Sequence, residues 1–431
     1  MLIDTHKYIF NCIYDIMYND AYSSVVTSRI DRDNKFSHNE KSYIKTLCMG
    51  VVKNWIKLEY YIDKLSNKKP KKNVKILLMC AIYEIEFMDD NKDYLTVNHY
   101  VESAKNLFPH AKNFVNAILR QFLRNKDLLP NDNSLKSLSI IYSHPIELVE
   151  VLEKVYGRKR LEKILEVNQS VPKIYFRVNQ KKITRTKLLE ILIEEGFIVK
   201  PSDICENAIL VEKFANNFTS LPSFLNGYYY IQDISSIIMI NTVDINGNEK
   251  VLDVAAAPGG KSLGVAEKLT SGKLIAQDIY DKKLDRLLDN SKRLGIDIET
   301  KLGDATVFNE DYVEKFDVVI ADLPCSGLGI ISKKPEIKYR KSTQNLKSMV
   351  QLQEEILNNV SKYVKKDGYL YYSTCTILPF ENEEQIRCFI EKNSNFKVVS
   401  LETKDLNNEF VNLVQDNLYS DGFFISKLMR L

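Results

Sequence analysis

Two cysteines stand in short runs that bring a thiol close to other reactive groups: Asp322-Leu323-Pro324-Cys325 and Ser373-Thr374-Cys375. Each run follows an apolar, strand-like segment, so both thiols are expected at strand ends on one edge of a sheet. A thiolate adding to C6 of a cytosine turns the ring into an enamine, and C5 can then attack an electrophilic methyl group. The addition needs the ring activated at N3, which a carboxyl group such as Asp322 can provide. A base must afterwards take the C5 proton so that the thiol can leave. One cysteine alone would more simply be an inert buried thiol. Two on one edge, with an aspartate nearby, allow one to attack and the other to assist release, and chemistry alone does not order them.

A second constellation is Asp253-Val254-Ala255-Ala256-Ala257-Pro258-Gly259-Gly260-Lys261-Ser262. It follows a short apolar run and opens a helical pattern, and its glycines permit a tight turn with close backbone approach to a ligand. About 20 residues further on stands Asp278, where a carboxylate at a strand end can accept the hydroxyls of a ribose. Asp304, in Gly303-Asp304-Ala305, suits the exocyclic amine of an adenine. Each aspartate alone is as readily a turn residue, but their joint registration with the glycine turn points to a nucleoside cofactor. The dinucleotide fingerprint G-x-G-x-x-G is absent. So is the phosphate loop G-x-x-x-x-G-K-[ST], which would need glycine where Ala255 stands.

The elements that must position these groups follow from periodicity. From Lys250 onward strands at 250–254, 273–278, 299–303, 317–321 and 368–373 alternate with helices near 260–270, 281–294, 344–366 and 381–393. That alternation predicts a parallel, doubly wound α/β sheet, closed by an antiparallel strand at Phe423–Leu428. Residues 1–130 read as helix throughout, with patterned segments Lys41–Leu65 and Val74–Phe87 separated by an exposed basic loop at 67–73. Pro130-Asn131-Asp132-Asn133-Ser134 breaks the pattern, and the polar run to Ser139 reads as a linker. Residues 140–245 mix helices (147–155, 161–167, 187–195) with strands (173–179, 208–211, 228–231), a small α+β unit. The expected division is therefore 1–130, 140–245 and 246–431.

At these residues the chain resembles the RNA 5-methylcytosine methyltransferases that use S-adenosylmethionine. The likeness covers Asp253–Ser262, Asp322–Gly329 and Ser373–Thr376, followed by Pro379-Phe380-Glu381-Asn382-Glu383. It extends to Gln232-Asp233 and Asp421-Gly422-Phe423-Phe424, and the front resembles NusB, including Phe114–Arg120. Over its whole length the chain is similar to the RsmB (Sun) type of 16S rRNA methyltransferases. The resemblance implies a NusB-like RNA-binding domain at 1–130, an RNA-binding subdomain at 140–245 and a Rossmann-like methyltransferase domain at 246–431. It implies that Ala255, Ala256, Ala257, Pro258, Gly259, Gly260 and Lys261, together with Asp278, Asp304 and Asp322, line the S-adenosylmethionine pocket. Cys375 would be the attacking thiol, Cys325 the one assisting release, and 16S rRNA the partner. Arg177 would contact an RNA phosphate, and Ser332–Lys338 resembles a basic RNA-contacting segment with lysine replacing arginine. The sequence departs at Ala255, often cysteine in the family, and at Ser262, frequently threonine; neither change removes a required group. A tRNA substrate is the near alternative. An RNA-binding assembly or antitermination factor with a vestigial catalytic half is the rival, against which intact Cys325, Cys375 and Asp322 argue.

Composition agrees with this reading. The chain has 431 residues, 45% apolar and 27% charged, which suits two or three globular domains and excludes disorder. Net charge is only +3, but residues 1–130 hold 20 Lys/Arg against 15 Asp/Glu, a modest basic bias that phosphates would favour. Seven cysteines without C-x-x-C spacing predict no disulfide and no metal site. Cys12, Cys48 and Cys80 read as small core hydrophobes. No stretch reaches membrane-spanning length, and Asp4 and Lys7 interrupt any signal-like run. A cytoplasmic, monomeric enzyme is the expectation.

Overall fold

The computed structural model describes residues 2–88, 93–125, 127–340, 343–403, 406–415 and 420–431. The chain forms two compact units, one of Met1–Ser170 with Ile331–Arg340, the other of Val171–Ile330 with Lys341–Leu431.

The first unit is helical. The expected run Lys41–Leu65 is two helices, His38–Lys53 and Trp55–Leu65, divided at Asn54. Ser37 and Glu40 close a capping box at the first of them, satisfying orphan N–H groups at its start. Cys12, Cys48 and Cys80 are buried in the core as expected, and none of the seven cysteines is in a disulfide. The stretch to Ser139 is not a linker. Leu135–Ile141 is a helix capped by Ser134, and Ser137–Ile140 are buried. Its serines conceal it from a hydropathy reading, because their hydroxyls are satisfied locally, Ser137 by Asp132 at 2.7 Å and Ser139 by the His144 carbonyl at 2.6 Å.

The segment Ile331–Arg340 belongs to this helical unit by its contacts. Glu336 accepts the Ser23 N–H at 2.9 Å, Lys338 donates to the Lys53 carbonyl at 2.8 Å, and Tyr339 donates to the Val52 carbonyl at 2.9 Å. Arg340 donates to the carbonyls of Ile16 and Ala21, each at 2.7 Å. The expected RNA contact at Ser332–Lys338 is thereby corrected for its terminal lysine. Lys338 is 2% exposed, and its ammonium is used by a backbone carbonyl. Basic residues in a loop look solvated in sequence, and only the fold reveals that this one is swallowed.

The second unit holds two main sheets. The small one is antiparallel: β1 (Ile174–Val178), β2 (Ile198–Pro201), β3 (Ala208–Lys213) and β4 (Tyr229–Ile231), in the order β2-β3-β1-β4. Phe176, Phe197 and Tyr229 anchor its core. The large one contains β5 (Lys250–Asp253), β6 (Lys273–Asp278), β7 (Glu299–Leu302), β8 (Phe316–Asp322) and β9 (Val364–Thr374), all parallel to one another. It continues through β10 (Phe396–Val399), while β11 (Leu401–Thr403) and β12 (Leu406–Asn408) form a separate ribbon. β13 (Phe410–Leu413) and β14 (Phe423–Arg430) complete it, β14 running antiparallel to β9 as expected. The order β10-β14-β9-β8-β5-β6-β7 reverses direction between β5 and β8. Central strands are apolar on both faces: Val251 and Tyr371 pack into one core, Leu252, Leu370 and Tyr372 into the other. The helix expected at 344–366 ends at Val360, with a 3-10 turn and β9 following, because Tyr363 and Val364 continue its apolar pattern in another conformation.

The chain's one tryptophan, Trp55, is buried in the helical unit, so its fluorescence reports on that unit. Arg340→Ala removes two charge-assisted hydrogen bonds and is expected to lower that unit's stability by about 2–3 kcal/mol. Urea unfolding followed by Trp55 emission measures it. An unchanged midpoint would mean the docked segment contributes nothing.

Candidate active site

The site is built at the carboxyl ends of β5, β6, β7, β8 and β9, where a switch in strand order opens a crevice. A cavity of about 670 Å³ lies there, lined by Ala255, Ala257, Asp278, Asp304 and Asp322 among the expected cofactor residues. Ala256, Pro258, Gly260 and Lys261 instead line an adjoining cavity of about 220 Å³, which shares Ala255, Ala257 and Asp322 with the first. Gly259 lines neither. Its φ is +102°, and a Cβ there would lie 2.5 Å from Leu287 Cγ, so glycine is required by backbone and packing together.

Asp278 is 6% exposed, and its two oxygens accept the N–H groups of Ala257 and Tyr280, both at 3.0 Å. Each retains a lone pair for a ligand hydroxyl. Asp304 Oδ1 is taken by the Thr306 N–H and hydroxyl, at 2.9 and 2.8 Å. Ile279, Leu323, Pro324, Leu352 and Ile356 supply apolar walls. Acidic groups at two strand ends beside an apolar slot of this volume fit a nucleoside-bearing cofactor. Tyr280, Lys283 and the helix face Leu352, Glu355 and Ile356 also line this cavity and were missed in the sequence. Nothing in a helix 30 residues beyond β8 betrays which face will close a pocket.

The reactive groups meet on the adjacent strands β8 and β9. Asp322 pairs with Ser373 in register, so Cys325 and Cys375 emerge side by side, their sulfurs 3.3 Å apart. Asp322 Oδ2 accepts from Lys261 Nζ at 2.7 Å and Oδ1 from the Ser373 hydroxyl at 2.8 Å. Burial opposes the charge on Lys261, but Asp322, with Cys375 and Asp253, outweighs it and holds the ammonium above its ordinary value. Cys325 is pushed well above the usual thiol range, first by its hydrogen bond with Cys375, then by burial and the charges of Cys375 and Glu381. Raised in this way, the Cys325 thiol holds its proton. Among the described residues no group of His, Cys, Asp and Glu side chains is arranged to hold a metal ion.

Arg177 is corrected. It is 2% exposed and turned inward, donating to Gly260 O at 2.8 Å and Gln232 Oε1 at 3.0 Å, with Glu267 3.8 Å away. It braces the glycine turn and reaches no solvent phosphate. Its place on a strand, among apolar residues buried on both faces, gave no sign of which polar partners it would meet.

This sheet order, with acids at the ends of β6 and β7 around a nucleoside-sized cavity, defines the class of S-adenosylmethionine-dependent methyltransferases. Family profiles match NusB at residues 4–124, an RsmF/B-like ferredoxin-like domain at 144–217, and 16S rRNA methyltransferase RsmB/F at 240–429. The chain is 33% identical over 432 residues to a probable ribosomal RNA small subunit methyltransferase B of Bacillus subtilis (strain 168), covering 96% of this chain and 95% of the relative. It is 31% identical over 406 residues to ribosomal RNA small subunit methyltransferase B of Escherichia coli O7:K1, covering 92% of each. The crystal structure of PH0851 superimposes with a TM-score of 0.81 at 25% identity, over 99% of this chain and 98% of that one. The chain belongs to the RsmB/F family of rRNA methyltransferases. Among its described residues, no helix is long and apolar enough to cross a membrane.

Asp253, buried at the end of β5, accepts from the Ser262 hydroxyl at 2.6 Å, and burial, with Asp322 adding, raises its carboxyl to about 7. The native state then binds this proton more tightly than the unfolded chain does. Stability is accordingly lost as pH rises from about 4 towards 7. Asp253→Asn keeps an acceptor for Ser262 and should flatten that part of the stability–pH curve; a curve that keeps its slope would mean Asp253 is ionised throughout.

Proposed function

We propose that this protein methylates C5 of a cytosine in 16S rRNA through a covalent adduct between Cys375 and C6 of the base. The observation that carries the reading is the pair of thiols 3.3 Å apart beside the Lys261–Asp322 ion pair. S-adenosylmethionine, when bound, supplies an electrophilic methyl group. Ala255, Ala257, Asp278, Asp304 and Asp322 would hold it, with Ala256, Pro258, Gly259, Gly260 and Lys261 forming the turn beneath.

Cys375 attacks C6, forming the S–C6 bond, because its neighbour keeps the proton and the Lys261 ammonium favours a thiolate nearby. Asp322, fixed by Lys261 and Ser373, carries the proton of the Cys375 thiol to N3 as the S–C6 bond forms, and takes it back from N3 when Cys375 leaves. Once Cys375 is alkylated it carries no charge, so the leading cause of the raised Cys325 pKa is gone. Cys325 can then lose its proton to solvent and, as thiolate, take the C5 proton, while the S–C6 bond breaks and Cys375 departs with the electron pair. The rRNA substrate is supported by the names of the relatives and by the excess of Lys/Arg in residues 1–130.

Cys375→Ser is expected to abolish transfer of label from S-adenosylmethionine to naked 16S rRNA, since the hydroxyl is a far weaker nucleophile at neutral pH. Retained incorporation would reject Cys375 as the attacking group. Cys325→Ala should instead give a slowly resolving protein–RNA adduct on a denaturing gel; normal turnover without adduct would remove Cys325 from product release. Bisulfite sequencing of rRNA from a deletion strain identifies the cytosine.

A further inference from the structure

The segment Pro379–Glu383 has no part in the chemistry above, yet Glu381 is fully buried. Its Oε1 accepts the Ser326 N–H at 2.8 Å and Gln353 Nε2 at 3.1 Å, while Oε2 has no hydrogen-bond partner among the described residues. The same Gln353 Nε2 donates to the Pro324 carbonyl at 3.0 Å. Pro324 and Ser326 are the two neighbours of Cys325. Tyr372, in β9, ties the pair to the sheet, its hydroxyl lying 2.6 Å from the Glu381 carbonyl and 3.4 Å from Gln353 Oε1. A second strut joins Ser326 to Thr376, hydroxyl to hydroxyl at 2.6 Å. Gln353 is 0% exposed, on the helix Thr343–Val360, and no sequence motif marks it.

A carboxylate and an amide are costly to bury unless their hydrogen bonds are made. Here two of those bonds, one from each side chain, reach the backbone immediately before and after one cysteine. We propose that Gln353 and Glu381 are positioning residues for Cys325, fixing the chain on both sides of the thiol so that its sulfur reaches C5 of the adduct. The inference rests on the release role given to Cys325 above. A clamp that merely joined the helix to the sheet would not need to grip the residues flanking a thiol.

The test uses full-length Gln353→Met, Glu381→Ala and Glu381→Gln, with Cys325→Ala as reference, incubated with naked 16S rRNA and labelled S-adenosylmethionine. Gln353→Met and Glu381→Ala should accumulate methylated protein–RNA adduct, about tenfold or more above wild type, at unchanged KM for the cofactor, because small misplacements of a reacting group are felt strongly. Glu381→Gln should behave like wild type: it keeps the acceptor for Ser326 and places its amide nitrogen where Oε2 has no partner. Turnover without adduct in Gln353→Met and Glu381→Ala, while Cys325→Ala traps it, overturns the proposal. The rate at which iodoacetamide labels Cys325, mapped by mass spectrometry, separates the clamp from the release role. A several-fold change in both clamp variants supports the clamp even if Cys325→Ala fails to trap adduct, and an unchanged rate overturns it whatever the gel shows. Should Gln353→Met not fold, Glu381→Ala carries the same test from the other side.

Discussion

Lys261 and Asp322 form the contact on which the site depends. Their ion pair is 2.7 Å long and partly buried, and Asp253 and Cys375 act on the same ammonium. Acidic groups crowded in a place of low dielectric repel one another and take up protons unless a cation compensates them. Asp253 illustrates the strain: fully buried and near Asp322, it is raised to about 7 even with Lys261 present. Without the ammonium, a thiolate beside Asp322 would be electrostatically disfavoured.

Lys261 reaches this position because the glycine turn is held from below. Gly259 packs on Leu287 and Arg177 grips the Gly260 carbonyl, so the strand β1, distant in sequence, helps to set a residue on the first helix after β5. The reactive side of the site is organised in the same manner. β8 and β9 are paired as far as Asp322 and Ser373, and the loops beyond them are stitched by Gly329 N–H to the Cys375 carbonyl at 2.9 Å. A side chain on Gly329 would meet that carbonyl, which is why the loop can close so tightly.

Much of the fold was legible from periodicity. The strands β5, β6, β7 and β8 fall within a residue or so of expectation, β5, β6 and β8 because buried parallel strands are short apolar runs bounded by turn residues, whereas β7 is a polar, largely exposed edge strand. β2, β10 and β13 were not, since Ile198–Pro201, Phe396–Val399 and Phe410–Leu413 are short and held by pairing with a neighbour more than by their own pattern. The helix Leu135–Ile141 escaped notice for the opposite reason, its polar residues being satisfied within a few positions.

By itself the sequence determined the reactive groups and their order along the chain: two thiols, three strand-end aspartates, a glycine turn and a lysine, each tied to local strand and turn signals. Only the tertiary structure decided which of them meet, because register between β8 and β9 fixes the sulfur–sulfur distance and no local pattern encodes register between strands 50 residues apart. It also decided the direction in which buried polar side chains point. Arg177, Lys338, Gln353 and Glu381 look in sequence like surface groups, and each is interior, hydrogen bonded to a partner from a distant segment.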